Sequence, residues 1–136
     1  MTGQELMNAA KKAMMNAYAP YSGYFVGAAV ETADGSVFTG CNVENASYSP
    51  TNCAERTAIF KAVSEGHRKI VAVAVCGGKG GSLTGFFPPC GVCRQVMAEF
   101  CDPDTPVYLV GKDDEYKVVA LKDLLPHGFD NSFMDM

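Results

Sequence analysis

The chain has 136 residues, and the 48% that are hydrophobic suffice for one packed domain spanning 1–136. A formal net charge of −4 argues against a surface that follows nucleic-acid phosphates, because such surfaces need clustered lysine and arginine. Without an apolar run of membrane-spanning length or a secretory leader pattern, the sequence predicts a cytoplasmic protein with reduced cysteines, which binds neither nucleic acid nor membrane.

The first part of the chain predicts a helix followed by a hairpin. Residues 1–18 place apolar side chains at helical spacing, at Leu6, Ala10, Ala13, Met14 and Ala17. Two strands, Tyr24–Thr32 and Val37–Val43, are predicted on either side of an Asp34-Gly35 turn. The next segment, 44–52, is rich in Asn and Ser and predicts a loop.

The rest of the chain alternates between helices and strands. A helix is predicted from Cys53 to a stop at Gly66, with Thr51 or Asn52 as its N-cap. A strand Lys69–Cys76, a Gly-rich loop 77–85 and a helix Cys93–Cys101 follow. The last predicted elements are strands Pro106–Val110 and Tyr116–Ala120 around a charged turn, and a short helix Leu121–Leu125. This order predicts an α/β fold, a three-layer α-β-α sandwich around one mixed β-sheet of about five strands.

The most informative pattern in the sequence is a set of three cysteines at the starts of two predicted helices. Cys53 precedes one helix, and Cys90 and Cys93 lie at the start of the other. Three protein ligands leave the fourth tetrahedral position of zinc open, whereas structural sites normally close it. Helix N-termini carry about half a positive charge and lower the pKa of a thiol. The pattern therefore predicts one catalytic Zn²⁺ per chain, held by these three cysteines.

Glu55 is predicted to carry protons rather than to bind the metal. A carboxylate beside a water that zinc activates can take its proton and pass it to a substrate nitrogen. A regular helix separates positions 53 and 55 by about 200°, so Cys53 must lie at or before the first turn. Three thiolates exceed the charge of Zn²⁺ by one unit, and Arg56 is positioned to offset that excess by donating to the sulfurs, with Arg94 a weaker candidate.

Other interpretations of the cysteines remain open at this point. The pair Cys90-x-x-Cys93 alone also fits a redox pair or a structural zinc knuckle. A non-catalytic, zinc-stabilised module predicts no exchangeable water on the metal and no use for Glu55. Cys41, Cys76 and Cys101 are expected to be buried apolar side chains.

The chain resembles the cytidine deaminase family, whose zinc signature is a His or Cys with x-Glu, followed by Pro-Cys-x-x-Cys. The similarity covers nearly the whole chain, in segments 19–22, 26–29, 40–48, 53–58, 89–95 and 124–126. It implies a small homotetrameric nucleoside deaminase with active sites shared between subunits. The implied reaction is the hydrolytic deamination of cytidine and deoxycytidine in pyrimidine salvage.

The resemblance also implies which residues contact the substrate. Asn42 and Glu44 would hold the ribose, and the backbone at Ala54 would contact the pyrimidine. Tyr48 and Phe129 would lie near the site at subunit boundaries, with Phe129 supplied by a neighbouring chain. An alternative role for Asn42 and Glu44 is to cap the loop in which they lie, and an alternative role for Phe129 is to anchor the C-terminal tail.

Two departures from the family pattern concern the base. The aromatic residue that stacks near the nucleoside is either Tyr24 or Phe25. The loop 77–88 is longer than the family pattern, and Phe87-Pro88 stands where a small polar residue is common. Two rival substrates are a cytosine-containing antibiotic such as blasticidin S, which lacks an ordinary ribose, and a polynucleotide, which the net charge of −4 disfavours.

Overall fold

A five-stranded mixed sheet forms the centre of the computed structural model, which describes residues 1–134. The helices and strands are α1 Gly3–Met14, β1 Tyr24–Thr32, β2 Val37–Cys41, α2 Ala54–Ser64, β3 Ile70–Lys79, α3 Gly91–Phe100, β4 Pro106–Val110, β5 Tyr116–Ala120 and α4 Leu121–Leu124. Short 3₁₀ turns add Lys112–Asp114 and Asn131–Phe133. The prediction of an α/β fold with about five strands is confirmed.

The strand order is β2-β1-β3-β4-β5. β1 pairs antiparallel with both β2 and β3, and β4 pairs antiparallel with β5. β3 and β4 are parallel, and the chain between them contains α3. A parallel pair needs such a crossover connection, which is why a helix returns the chain to the same end of the sheet.

Helices cover both faces of the sheet, as the three-layer prediction requires. α1 begins at a capping box formed by Thr2 and Glu5, and buries Leu6, Ala10 and Met14 against one face. α2, α3 and α4 pack against the other face, on a core that includes Ile59, Met97 and Leu121. Within residues 1–134, all helices are too short or too polar to cross a bilayer.

Three predicted boundaries are wrong by more than one residue. β3 continues past Cys76 to Lys79, because Gly77, Gly78 and Lys79 remain paired with β1. The sequence does not indicate this extension, since glycines have no side chains that could form a hydrophobic pattern. α3 begins at Gly91 rather than at Cys93. β2 ends at Cys41 rather than at Val43, which instead forms an isolated bridge with Asn52.

The approach of α1 to β1 depends on Gly27. A methyl group at this position would lie 2.1 Å from the Ala10 carbonyl oxygen and 2.5 Å from the Met14 amide nitrogen. We expect Gly27→Ala to lower the free energy of unfolding by about 3 kcal/mol, the upper end for overpacking. Denaturant unfolding measures the change. The control Gly85→Ala, with nothing within 4 Å of the added methyl, should stay within about 0.5 kcal/mol of wild type.

Candidate metal centre and active site

Two of the three predicted zinc ligands are N-cap residues. Cys53 precedes α2 in an extended conformation, with φ −79° and ψ 157°, and Cys90 precedes α3 with φ −69° and ψ 168°. Cys93 lies on the first turn of α3. The requirement that Cys53 lie before the first turn is therefore met. The predicted N-cap, Thr51 or Asn52, is wrong, because the helix begins one residue after Cys53.

The three cysteine sulfurs converge on one point. Their Sγ atoms all lie within 4.8 Å of one another, and those of Cys53 and Cys90 are 3.6 Å apart. Tetrahedral zinc with sulfur at about 2.3 Å places its ligands about 3.8 Å from each other. The donor set and its spacing therefore fit Zn²⁺ with three thiolate ligands.

Glu55 lies beside this cluster, on the first turn of α2, and its side chain is buried with 3% exposure. Its Oε1 atom has no hydrogen-bond partner among the atoms of residues 1–134. Burial raises the pKa of this carboxyl to about 7, and the negative charge of Cys53 contributes. A carboxyl with a pKa near neutrality and a free oxygen can both accept and return a proton.

Arg56 contacts the cluster from the next position of α2. Its Nη2 donates to Cys53 Sγ at 3.3 Å. The pKa of Cys53 is lowered to about 5, first by a hydrogen bond from Cys93 and then by Arg56. Arg94, the weaker candidate for this role, donates instead to the carbonyls of Pro89 and Leu124, both at 2.8 Å. It therefore ties the start of α3 to the end of α4.

We expect Arg56→Gln to lower zinc affinity or kcat/KM by about 10–100-fold, because the thiolate loses a charge-assisted donor. Metal analysis and steady-state kinetics measure the two effects. The matched control is Arg68→Gln, which changes an exposed arginine outside the three-sulfur cluster and should leave both quantities unchanged. Unchanged kinetics and zinc affinity in Arg56→Gln would contradict the assigned role.

A cavity of about 400 Å³ opens next to the cluster. It brings together side chains from β1, the loop before α2, the start of α2 and the loop before α3. Its lining residues are Ser22, Tyr24, Val26, Asn42, Glu44, Thr51, Asn52, Cys53, Ala54, Glu55, Phe87, Pro88 and Cys90. The predicted ligands Cys53 and Cys90, the predicted proton carrier and four predicted substrate contacts therefore share one cavity of small-ligand size.

The side chains of Asn42 and Glu44 are held by hydrogen bonds to the start of β1 and the turn before it. Asn42 Oδ1 accepts from the Val26 amide and Nδ2 donates to the Tyr24 carbonyl, both at 2.8 Å. Glu44 Oε1 accepts from the amides of Tyr21 and Ser22 at 3.0 Å, and the Ser22 hydroxyl donates to Oε2. These bonds lower the pKa of Glu44, chiefly through Ser22. Both side chains are therefore fixed in orientation at the cavity.

The structure distinguishes between Tyr24 and Phe25. Tyr24 lines the cavity, and its ring stacks against Phe87 with centroids 6.3 Å apart and an interplanar angle of 22°. Phe25 packs with the α1 side of the sheet, because successive strand residues point to opposite faces. The alternative that Phe25 stacks near the substrate is therefore not supported by its position.

Tyr48 and Phe129 lie outside this cavity. Tyr48 is 76% exposed and lines an adjoining cavity of about 310 Å³, where its ring meets Tyr21 edge-on. Phe129 is 61% exposed, and its ring stacks on Phe133 at 5.4 Å.

Six lining residues were not predicted as site residues: Ser22, Thr51, Asn52, Phe87, Val26 and Pro88. The first three lie in polar segments that precede β1 and α2, where loop composition alone does not single out any one side chain. Phe87 lies three residues before Cys90, and that proximity in sequence was the available signal.

Three converging cysteine sulfurs and a buried glutamate two residues after the first of them are features of the zinc-dependent deaminases. A family model described as the cytidine and deoxycytidylate deaminase zinc-binding region matches residues 1–109, and the chain belongs to this family.

Individual relatives match over nearly their whole length. The chain is 50% identical over 129 residues to a cytidine deaminase of Halalkalibacterium halodurans, covering 95% of each chain. It is 47% identical to one from Sporosarcina psychrophila, covering 95% of this chain and 92% of the relative. The crystal structure of cytidine deaminase from Burkholderia pseudomallei superposes with a TM-score of 0.87 at 50% identity, over 95% of this chain and 100% of that one.

Proposed function

We propose that this protein catalyses the zinc-dependent hydrolysis of cytidine and deoxycytidine to uridine and deoxyuridine, as a step of pyrimidine salvage in the cytoplasm. The observation that carries the proposal is the buried Glu55 carboxyl, which has an unpartnered oxygen and lines a cavity of about 400 Å³ beside three converging thiols. The cytidine deaminases among its relatives support this substrate.

Cys53, Cys90 and Cys93 would hold the metal, which supplies Lewis acidity toward a water molecule when bound. Glu55 accepts one proton from that water and passes it to the ring nitrogen N3 while the water oxygen bonds to C4. Glu55 then takes the second proton from this oxygen and passes it to the amine, so that the C4–N bond breaks and ammonia leaves. Its pKa of about 7 suits both transfers, because the carboxyl gains and loses a proton at similar cost. Arg56 donates to Cys53 and reduces the excess negative charge of the thiolates.

The polar end of the cavity is proposed to bind the sugar. Asn42 has one amide hydrogen left after donating to Tyr24, and its oxygen retains a second lone pair. Glu44 oxygens likewise accept further bonds from ribose hydroxyls. The Ala54 backbone, at the N-terminus of α2, is proposed to contact the pyrimidine, and Tyr24 to lie against its face.

We also propose a homotetramer in which neighbouring subunits complete each site. The exposure of Tyr48 and Phe129 supports this, because large aromatic side chains are enriched at protein interfaces. Light scattering tests the assembly, and a fully active monomer would contradict shared sites.

The decisive assay follows the loss of cytidine absorbance and the formation of uridine by the purified zinc-loaded protein. Cytidine and deoxycytidine should be converted, whereas blasticidin S and a cytosine-containing oligonucleotide should not. Conversion of the oligonucleotide but not of the nucleoside would reject the proposed substrate class.

A further inference from the structure

Two adjacent phenylalanines in the loop before α3 each pack over a glycine. Phe86 packs over Gly111, which follows β4, and Phe87 packs over Gly77 in β3. The Phe86 ring lies where a methyl on Gly111 would come within 2.9 Å of it, and Lys117 Nζ lies 4.7 Å from the ring centroid. The Phe87 ring lies where a methyl on Gly77 would come within 2.8 Å. Neither glycine has a positive φ, so space for the rings accounts for both.

Phe87 faces the active-site cavity with its position fixed by neighbours. It stacks on Tyr24, and a methyl on Gly77 would meet both Phe87 and Val26, the latter at 3.1 Å. We call Tyr24 and Phe87 the aromatic wall of the cavity. A ring held between a strand backbone and a second ring cannot move aside without disturbing close packing.

The aromatic wall belongs to the metal end of the cavity. Only two residues separate Phe87 from Cys90, and the same cavity is lined by Cys53, Ala54 and Glu55. The reacting carbon of any substrate must lie within reach of Glu55. We therefore expect the base of a bound nucleoside to lie beside Phe87 and its sugar to lie toward Glu44 and Thr51.

We propose that Phe87 is a specificity-determining residue, which limits the size of the pyrimidine base that the cavity admits. The inference rests on the proposed function for the identity of the base. Because the ring packs over Gly77 and stacks against Tyr24, an added substituent on the pyrimidine meets a surface that can yield only by disturbing this packing. Replacing the ring by a smaller aliphatic side chain opens space at the metal end.

The test compares cytidine with 5-bromocytidine, which carries a bulkier atom on the ring, in wild type and Phe87→Leu. We expect the kcat/KM ratio favouring cytidine to fall about tenfold in the variant, since one methylene-sized difference changes selectivity by about 10–200-fold. Comparing ratios between proteins cancels the electronic effect of bromine. The control Phe100→Leu removes the same volume at the end of α3, where Phe100 packs against the core. It should keep the kcat/KM ratio within about twofold of wild type.

An unchanged ratio in Phe87→Leu, or an equal fall in Phe100→Leu, would overturn the proposal. If Phe87→Leu does not fold, Phe87→Met provides a flexible replacement, for which we expect a fall in the same direction. Calorimetric titration with both nucleosides, carried out in a Glu55→Gln background that suppresses turnover, gives the ratio of binding affinities with and without the Phe87 change. If the wild type fails to deaminate cytidine, the proposed function fails, whereas the affinity ratios still decide the role of Phe87.

Discussion

Glu55→Gln is expected to lower kcat for cytidine by about 10²–10⁴-fold, because glutamine cannot carry the proton from water to the ring nitrogen. Zinc content should stay at one ion per chain, since the three cysteine sulfurs remain in place. The variant should also fold at least as stably as wild type. The free, buried Oε1 of Glu55 belongs to a group whose ionisation is costly, and a neutral amide removes that cost.

Three measurements define this result: kcat by uridine formation, zinc by metal analysis and the unfolding midpoint in denaturant. The matched control is Glu99→Gln, which changes an exposed glutamate of α3 and should leave all three unaltered. Turnover of Glu55→Gln at the wild-type rate would exclude the proton-carrier role. Loss of zinc together with turnover would indicate that Glu55 supports the metal site instead.

Cys93→Ser is expected to reduce both zinc occupancy and turnover to about 1% of wild type or less, because two thiolates cannot hold the ion as three do. Cys93 is fully buried in the first turn of α3, so no other described side chain is placed to take over its position. Metal analysis after dialysis against a weak chelator, followed by the cytidine assay, measures both effects.

The control for the cysteine change is Cys41→Ser. Cys41 ends β2 and lies outside the three-sulfur cluster, so its replacement should preserve zinc and activity. Full zinc occupancy in Cys93→Ser would show that the cluster is not the metal site. Restoring activity to the variant with excess zinc would instead measure how much affinity the third thiolate contributes.

The spacing of apolar and polar residues predicted most of the fold, because a strand or helix with a regular apolar pattern is identified without knowledge of its neighbours. β1 was predicted with its observed bounds, and so were β4 and β5. The end of β3 was missed because Gly77 and Gly78 are held by pairing with β1, which is a long-range interaction that local periodicity does not contain.

The metal site was predictable because its chemistry is encoded at short range. Cys90 and Cys93 lie on one turn, and Cys53 with Glu55 on another, so each pair is positioned locally. The packing of α2 and α3 on one core then brings the two pairs together. Phe87 could not be assigned in this way. Its role in the cavity depends on stacking against Tyr24, which is 63 residues earlier in the chain, across the β1–β3 pairing.

The spacing of the cysteines has a consequence for the unfolded chain. Cys53 and Cys90 are 37 residues apart, and the segment between them contains α2 and β3. The unfolded chain therefore does not hold the three sulfurs together, and an ion bound by them is released when the protein unfolds. Zinc that binds only the folded chain stabilises it by about 4 kcal/mol at a thousandfold excess over its Kd. The residues that assemble the reaction centre would then also couple metal supply to thermal resistance, and a chelator would lower the unfolding temperature.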